Sequence, residues 1–204
     1  MSRATFFGGT ILVASMLGGC GTTLVAEEEQ PITERPVDKI AAVNTKLGIE
    51  YMREGKDKQA YKRLKKALDI QPDYSGALNA MALLHERLGK TELAESHFER
   101  AVRSNPGDAA AYNNFGAFLC RQGRVQDAME QFKQALQNPL NKAPAIALNN
   151  AGQCLAQSGH SNKAEGLFRE ALRRNPKLPS ALLAMSELSE AKGSDLAARG
   201  YLQR

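Results

Sequence analysis

At 204 residues, 43% apolar and 24% charged, the chain has room for one domain or a repeat array. Its low aromatic content (6%, no Trp) and abundant Ala and Leu favour helices over a β-sandwich. The net charge of +5 comes without base-reading or stacking motifs, which excludes a nucleic-acid binder, and three cysteines with no CxxC pair exclude a disulfide scaffold.

Arg3 supplies a positive start, and residues 4–17 are apolar or small. That run is too short to be a stable membrane span and suits a signal-peptide core. Leu17-Gly18-Gly19-Cys20 then resembles the bacterial lipobox, in which the cysteine thiol receives a diacylglycerol. Slim residues before an accessible thiol are what the modifying enzymes need, and Gly18 and Gly19 supply them. The plainer alternative is an ordinary cleaved signal in which Cys20 is a bystander. With Cys20 lipidated, residues 1–19 are the lipoprotein signal peptide. Gly21, where an Asp would hold an enterobacterial lipoprotein in the inner membrane, then implies the outer membrane, facing the periplasm.

Residues 20–38 read as the lipidated cysteine and a flexible tether. GTTLVAEEEQPITERPVD shows neither helical nor strand period and carries Pro31, Pro36 and the acidic triplet Glu27 to Glu29. Fully extended, this stretch reaches about 60 Å.

From residue 39 to 204 the chain repeats. Leu47-Gly48, Met81-Ala82, Phe115-Gly116, Ala151-Gly152 and Met185-Ser186 follow one another at steps of 34, 34, 36 and 34 residues. Twelve residues after each small residue comes Ala60, Ala94, Ala128, Ala164 or Ala198. Four further on comes a large apolar residue: Leu64, Phe98, Phe132, Phe168 or Leu202. Period and signature positions match the tetratricopeptide repeat. The fold class is therefore all-α, a right-handed superhelix of helix-turn-helix pairs, with repeats near 41–74, 75–108, 109–144, 145–178 and a partial 179–204. The small residue and the alanine let the two helices of a pair approach closely, and the large residue fills the gap beside them. Gly55, Gly89, Gly123 and Gly159 are expected to end the first helices in a left-handed conformation. Prolines after the second helices stop them. The third junction, QNPLNKAPA, has two extra residues and predicts a longer loop. The chain stops at Arg204 within the second helix of the fifth repeat; the apolar face this leaves predicts truncation or cover by another chain.

Catalytic chemistry finds no support. No nucleophile elbow, phosphate loop or carboxylate pair occurs, and no metal or cofactor site is expected. His85, His97 and His160 are expected on different repeats, His85 at a usually apolar core position, with no carboxylate at metal-ligand spacing. Cys120 and Cys154 fall on first helices of neighbouring repeats, where an oxidising compartment permits a disulfide. Their different positions within the repeat predict side chains pointing different ways, as two separate small thiols. The helix KDKQAYKRLKKAL is strongly basic and reads as a solvated convex face, with anionic lipid or glycan contact as the alternative.

First helices line the concave surface of such superhelices. They bring Asn79, Asn113 and Asn149 into register, with Asn114 and Asn150 beside them, and Arg53, Arg87 and Arg121 into a second row ending at Gln157. Asparagine amides bond both backbone groups of an extended peptide, and arginines fork onto carboxylates. The alternative is an ordinary polar face. Asparagine is a poor helix former, so its repetition points to a partner-binding groove for protein segments, with no small-molecule substrate.

The stretch NNFGAFLCRQGRVQDAMEQFKQALQNPLNKAPAIALNNAGQCLAQSG, continuing through KAEGLFREALRRNPKLPSALLAMSEL, resembles the type IV pilus biogenesis lipoproteins of the PilF/PilW kind. The resemblance covers most of residues 40–190. It implies a pilotin: a lipidated outer-membrane scaffold that helps secretin subunits insert and multimerise. It further implies that Cys20 carries the lipid and that the groove or its rims meet the secretin. Such proteins have about six repeats, and this chain stops within the fifth. A general periplasmic adaptor lipoprotein that docks envelope enzymes such as peptidoglycan hydrolases is the alternative reading.

Overall fold

The computed structural model describes residues 36–203. The expected signal peptide, Cys20 and the stretch up to residue 35 lie outside the described residues. Ten helices follow: α1 (Pro36–Arg53), α2 (Asp57–Ile70), α3 (Ser75–Arg87), α4 (Thr91–Ser104), α5 (Ala109–Arg121), α6 (Val125–Gln137), α7 (Pro144–Gln157), α8 (Ser161–Arg174), α9 (Pro179–Ala191) and α10 (Asp195–Leu202). No strand occurs among the described residues. The tether expected through residue 38 gives way earlier: α1 begins at Pro36, a residue whose fixed φ suits the first helical position and whose missing N–H costs nothing there.

Each helix pair is closed by one turn geometry. Gly55, Gly89, Gly123 and Gly159 take φ of 71–82°, as the sequence predicts, and Gly193 repeats the device in the fifth pair. The next residue then bonds back five positions: Lys56 N to Tyr51 O, Lys90 N to His85 O, Arg124 N to Leu119 O, His160 N to Leu155 O. This is the Schellman closure, and it satisfies carbonyls that the helix end would otherwise leave bare.

Within each pair the small residue is a steric requirement. A Cβ built on Gly116 or Gly152 falls 2.9 Å from Phe132 Cε1 or 2.7 Å from Phe168 Cε1. Phe98, Phe132 and Phe168 are fully buried, with Ala94, Ala128 and Ala164 one turn before them. Phe98 also touches Phe115 and Phe118 of the following repeat, at ring centroids of 5.6 and 5.2 Å, which joins neighbouring pairs into one core.

The layering follows from which helices touch. Each first helix meets the next first helix (α1 with α3, α3 with α5, α5 with α7, α7 with α9), whereas no two second helices touch among the described residues. First helices therefore form the inner, concave layer of the superhelix and second helices the outer one.

The longer third junction is rigidly tied. Asn138 Oδ1 accepts from Leu140 N, and Asn141 Nδ2 donates to Ala135 O while its Oδ1 accepts from Ala143 N, each at 2.8 Å. Asn138 Nδ2 also donates to Gly107 O of the preceding junction at 2.6 Å. Two side-chain amides, those of Asn138 and Asn141, thus replace the backbone bonds that the two extra residues displace.

Candidate functional site

The asparagines of the first helices form a continuous amide ladder across three repeats. Asn114 Nδ2 donates to Asn79 Oδ1 at 3.2 Å, Asn113 Nδ2 to Asn114 Oδ1 at 3.3 Å, and Asn150 Nδ2 to Asn113 Oδ1 at 3.0 Å. All four are half-buried on the concave side. The ladder has a rule: the asparagine two positions before the small residue donates to the one three positions before it in the preceding repeat. Bonding to each other fixes the amide planes and leaves Asn113, Asn114 and Asn150 with one amide hydrogen each for a partner.

Asn149 stands apart. It is 3% exposed and its Oδ1 is unpaired. By the ladder's rule its donor would come from position 184, where the fifth repeat has Ala184. The sequence placed Asn149 in the groove; the structure turns it inward.

The arginine row is engaged as well. Arg121 forks onto Glu86 of the preceding repeat, Nε to Oε1 at 2.7 Å and Nη2 to Oε2 at 2.9 Å. Arg87 donates to Met52 O and, at 3.2 Å, to Asp57 Oδ1. Among the described residues Arg53 pairs only with Glu50, on its own helix, at 2.9 Å. Arg87 and Arg121 act first as clasps between repeats, and Arg53 remains the more available cation. Arg124 with Glu95, and Lys192 with Glu165, clasp repeats in the same way; the Lys192 hydrogen bond is the largest of the effects that hold the Glu165 carboxyl below its usual range.

Three concave cavities follow the ladder. One of about 560 Å³ lies beside Arg53 and Asn79. A second, of about 520 Å³, is walled by Asn113, Asn114, Leu140, Lys142 and Ile146, so that the longer junction forms one side of it. The third, of about 320 Å³, lies between Asn114, Asn150, Arg121 and the two cysteines. Leu140, on its tied loop, is 79% exposed, an apolar group held out to solvent beside the ladder.

Cys120 and Cys154 are joined in a disulfide, with Cα atoms 5.7 Å apart. The expectation that they point in different directions is corrected by the helix geometry. Cys120 lies four residues after Gly116, and Cys154 two residues after Gly152. Two positions on a helix are about 200° apart. Helices lying side by side face each other with opposite sides, so that offset aims the two thiols at one another.

A second correction concerns the histidines. His85 on α3 and His97 on α4 belong to one repeat, with ring centroids 5.1 Å apart. His85 is buried at 5% exposure, as its apolar position predicts, with Nδ1 unpaired and Tyr61 against its edge. Burial, then the charges of His97 and Lys90, hold its imidazole below the ordinary value.

Fold and groove together define a tetratricopeptide-repeat scaffold, a class that works through protein–protein contact. The tetratricopeptide repeat family profile matches residues 45–109, 79–142 and 119–179. The type IV pilus assembly protein PilF of Pseudomonas aeruginosa is 29% identical over 191 residues, spanning 93% of this chain and 75% of PilF. Its solved structure superimposes with a TM-score of 0.75, covering 81% of this chain and 74% of that one. PilW, described as a widely conserved type IV pilus biogenesis factor, is 30% identical with a TM-score of 0.74, covering 81% of this chain and 76% of that one. The chain belongs to the tetratricopeptide-repeat proteins, and among them to the type IV pilus biogenesis factors of the PilF/PilW kind.

Proposed function

We propose that the protein is a pilotin: an outer-membrane lipoprotein, anchored through Cys20 and facing the periplasm, that binds segments of secretin subunits in its groove and promotes their multimerisation. It acts by holding a partner and catalyses no reaction. The observation that carries this reading is the amide ladder from Asn79 to Asn150, along the concave face of a chain that matches pilus biogenesis factors over most of its length. Two features support the location. The lipobox ends in Cys20 followed by Gly21, and a disulfide lining the groove suits an oxidising compartment. An extended secretin segment would take the free amide hydrogens with its backbone, set an apolar side chain between Leu140 and Ile146, and offer a carboxylate to Arg53 or Lys142.

The test is secretin assembly in a deletion strain. Detergent-resistant secretin multimers should be lost in the deletion, return with the wild-type gene, and return poorly with Cys20→Ala, which should also leave the outer-membrane fraction. Normal multimers in the deletion strain, or recovery of peptidoglycan hydrolases without secretin from solubilised envelopes, would overturn the reading.

A further inference from the structure

The charge of this chain is concentrated at one end. Residues 39–70 carry nine Lys and Arg against four Asp and Glu, a surplus equal to the net +5 of the whole chain. Arg53, Lys56 and Lys65 are paired with Glu50, Glu54 and Asp69. Lys58, Lys62, Arg63 and Lys66 on α2 have no ion pair among the described residues.

Helical geometry places these four together. On α2, Ala60, Leu64 and Ala67 are buried, Leu64 against Gly48 of α1, and Tyr61 and Leu68 pack toward the following repeat. The remaining sector, outward and away from α3, carries Lys58, Lys62, Lys66 and Arg63. On α1 the corresponding side is aliphatic: Ile40, Val43 and Leu47 are 49%, 57% and 38% exposed. Their spacing puts them on one stripe, which no helix covers among the described residues. The first edge of the array is thus an exposed aliphatic stripe flanked by four unpaired cations.

We propose that this edge docks on an anionic phospholipid surface, with Ile40, Val43 and Leu47 entering the headgroup boundary and the α2 cations meeting lipid phosphates. The inference rests on the lipid-anchored reading above. Charge complementarity selects this occupant: aliphatic groups beside unpaired lysines are what an anionic leaflet binds. A second copy stacked end to end would offer the exposed Glu187 and Glu190 of α9 beside Asp195 and Arg199 of α10, fewer net negative charges than the edge has unpaired cations. The chain leading to Cys20 enters α1 at Pro36 after fifteen residues, within about 50 Å of the anchored cysteine even when extended. Docking orients the scaffold, with the concave ladder presented alongside the membrane.

The chain has no tryptophan, so Val43→Trp is a unique reporter and Leu183→Trp, on the exposed part of α9, is its control. The lipidated full chain is mixed with vesicles of phosphatidylcholine alone, or with a quarter of phosphatidylglycerol, both carrying brominated acyl chains. Sedimentation reads the anchor, and tryptophan emission reads the edge. On anionic vesicles the emission of Val43→Trp should shift blue and be quenched, whereas that of Leu183→Trp should not. Combined replacement of Lys58, Lys62, Arg63 and Lys66 by Gln should remove at least about half of the quenching while sedimentation and helicity persist. Sedimentation without quenching at residue 43 overturns the docking edge and leaves the anchor standing. A blue shift that grows with protein concentration in the absence of vesicles assigns the edge to self-association and overturns the proposal. If neither vesicle sediments the chain, anchor and edge both fall.

Discussion

Asn150 Nδ2 donates to Asn113 Oδ1 at 3.0 Å across 37 residues of sequence, repeating the bond by which Asn114 reaches Asn79 across 35. The next step is missing because position 184 is alanine, and Asn149 Oδ1 is left buried and unpaired. Ala184→Asn should supply that donor. Ala184 is half-buried on a cavity wall, so the amide has room. Pairing a buried acceptor contributes about 1 kcal/mol, which raises Tm by roughly 2–4 °C in a chain of this size. Thermal unfolding followed by circular dichroism checks it, with Ala184→Leu as a control that adds volume and no donor.

Breaking the ladder should weaken partner binding more than folding. Asn113 is bonded on both sides, so Asn113→Ala strands Asn150 and Asn114 together. Changing Asn113, Asn114, Asn149 and Asn150 at once should lower affinity for the secretin segment proposed as partner at least about tenfold, with helicity nearly unchanged. Titration calorimetry measures the first and circular dichroism the second. Unaltered affinity would move the interface off the concave face.

Two glycines give opposite expectations. Gly152→Ala drives a Cβ to within 2.7 Å of Phe168 in a packed layer and should cost about 1–3 kcal/mol. Gly166 lies on the exposed side of α8 with nothing within 4 Å of an added Cβ, so Gly166→Ala should stabilise by about 0.5–1 kcal/mol through helix propensity. Chemical denaturation of the pair reads both signs in one experiment.

Gly152 belongs to the part of the fold that is legible in sequence. The 34-residue step, the small residue opposed to an aromatic, and the glycine closing each first helix all depend on local geometry, and local geometry repeats with the chain. What the sequence conceals depends on the stagger between neighbouring first helices. Asn149 is in register with Asn113, yet its environment is set by Ala184 one repeat later. Cys120 and Cys154 look misaligned within the repeat, yet adjacent helices meet on opposite faces, so misalignment is what brings them together. Arg121 finds Glu86 by the same stagger. The doubled NN pairs at 113–114 and 149–150 were the available signal for the ladder, because a stagger of one position needs both members.

His85 should make stability depend on mild acid. Burial first, then the charges of His97 and Lys90, hold its imidazole below the value of 6.5 that it has in the unfolded chain. As pH falls through 6.5 the unfolded chain takes up a proton that the folded one refuses, so stability is full above that pH and declines below it. Tyr61 faces His85 from α2 and His97 from α4, and neither is a carboxylate that would reverse the sign. Melting curves at pH 7.5 and 5.5 should separate for the wild type. His85→Leu, which fits an apolar position, should narrow the gap, and an equal gap in both proteins would remove His85 as its origin.

The disulfide should act as a brace between the third and fourth repeats, at the place where the junction is longest. Cys120 and Cys154 are 34 residues apart, and closing a loop of that length restricts the unfolded chain by about 4 kcal/mol on the chain-entropy account. Reduction should therefore lower Tm by roughly 10 °C in a chain of this size. Cys120→Ser with Cys154→Ser should melt near the reduced wild type and ignore reductant. The consequence reaches the groove, because both cysteines wall the cavity beside Asn114, Asn150 and Arg121. Opening the brace frees α7 to move against α5, and the bond from Asn150 to Asn113 crosses that same gap. Partner affinity should then fall on reduction at temperatures where helicity is still complete. If affinity follows helicity alone, the bond serves stability and leaves the ladder's alignment to packing.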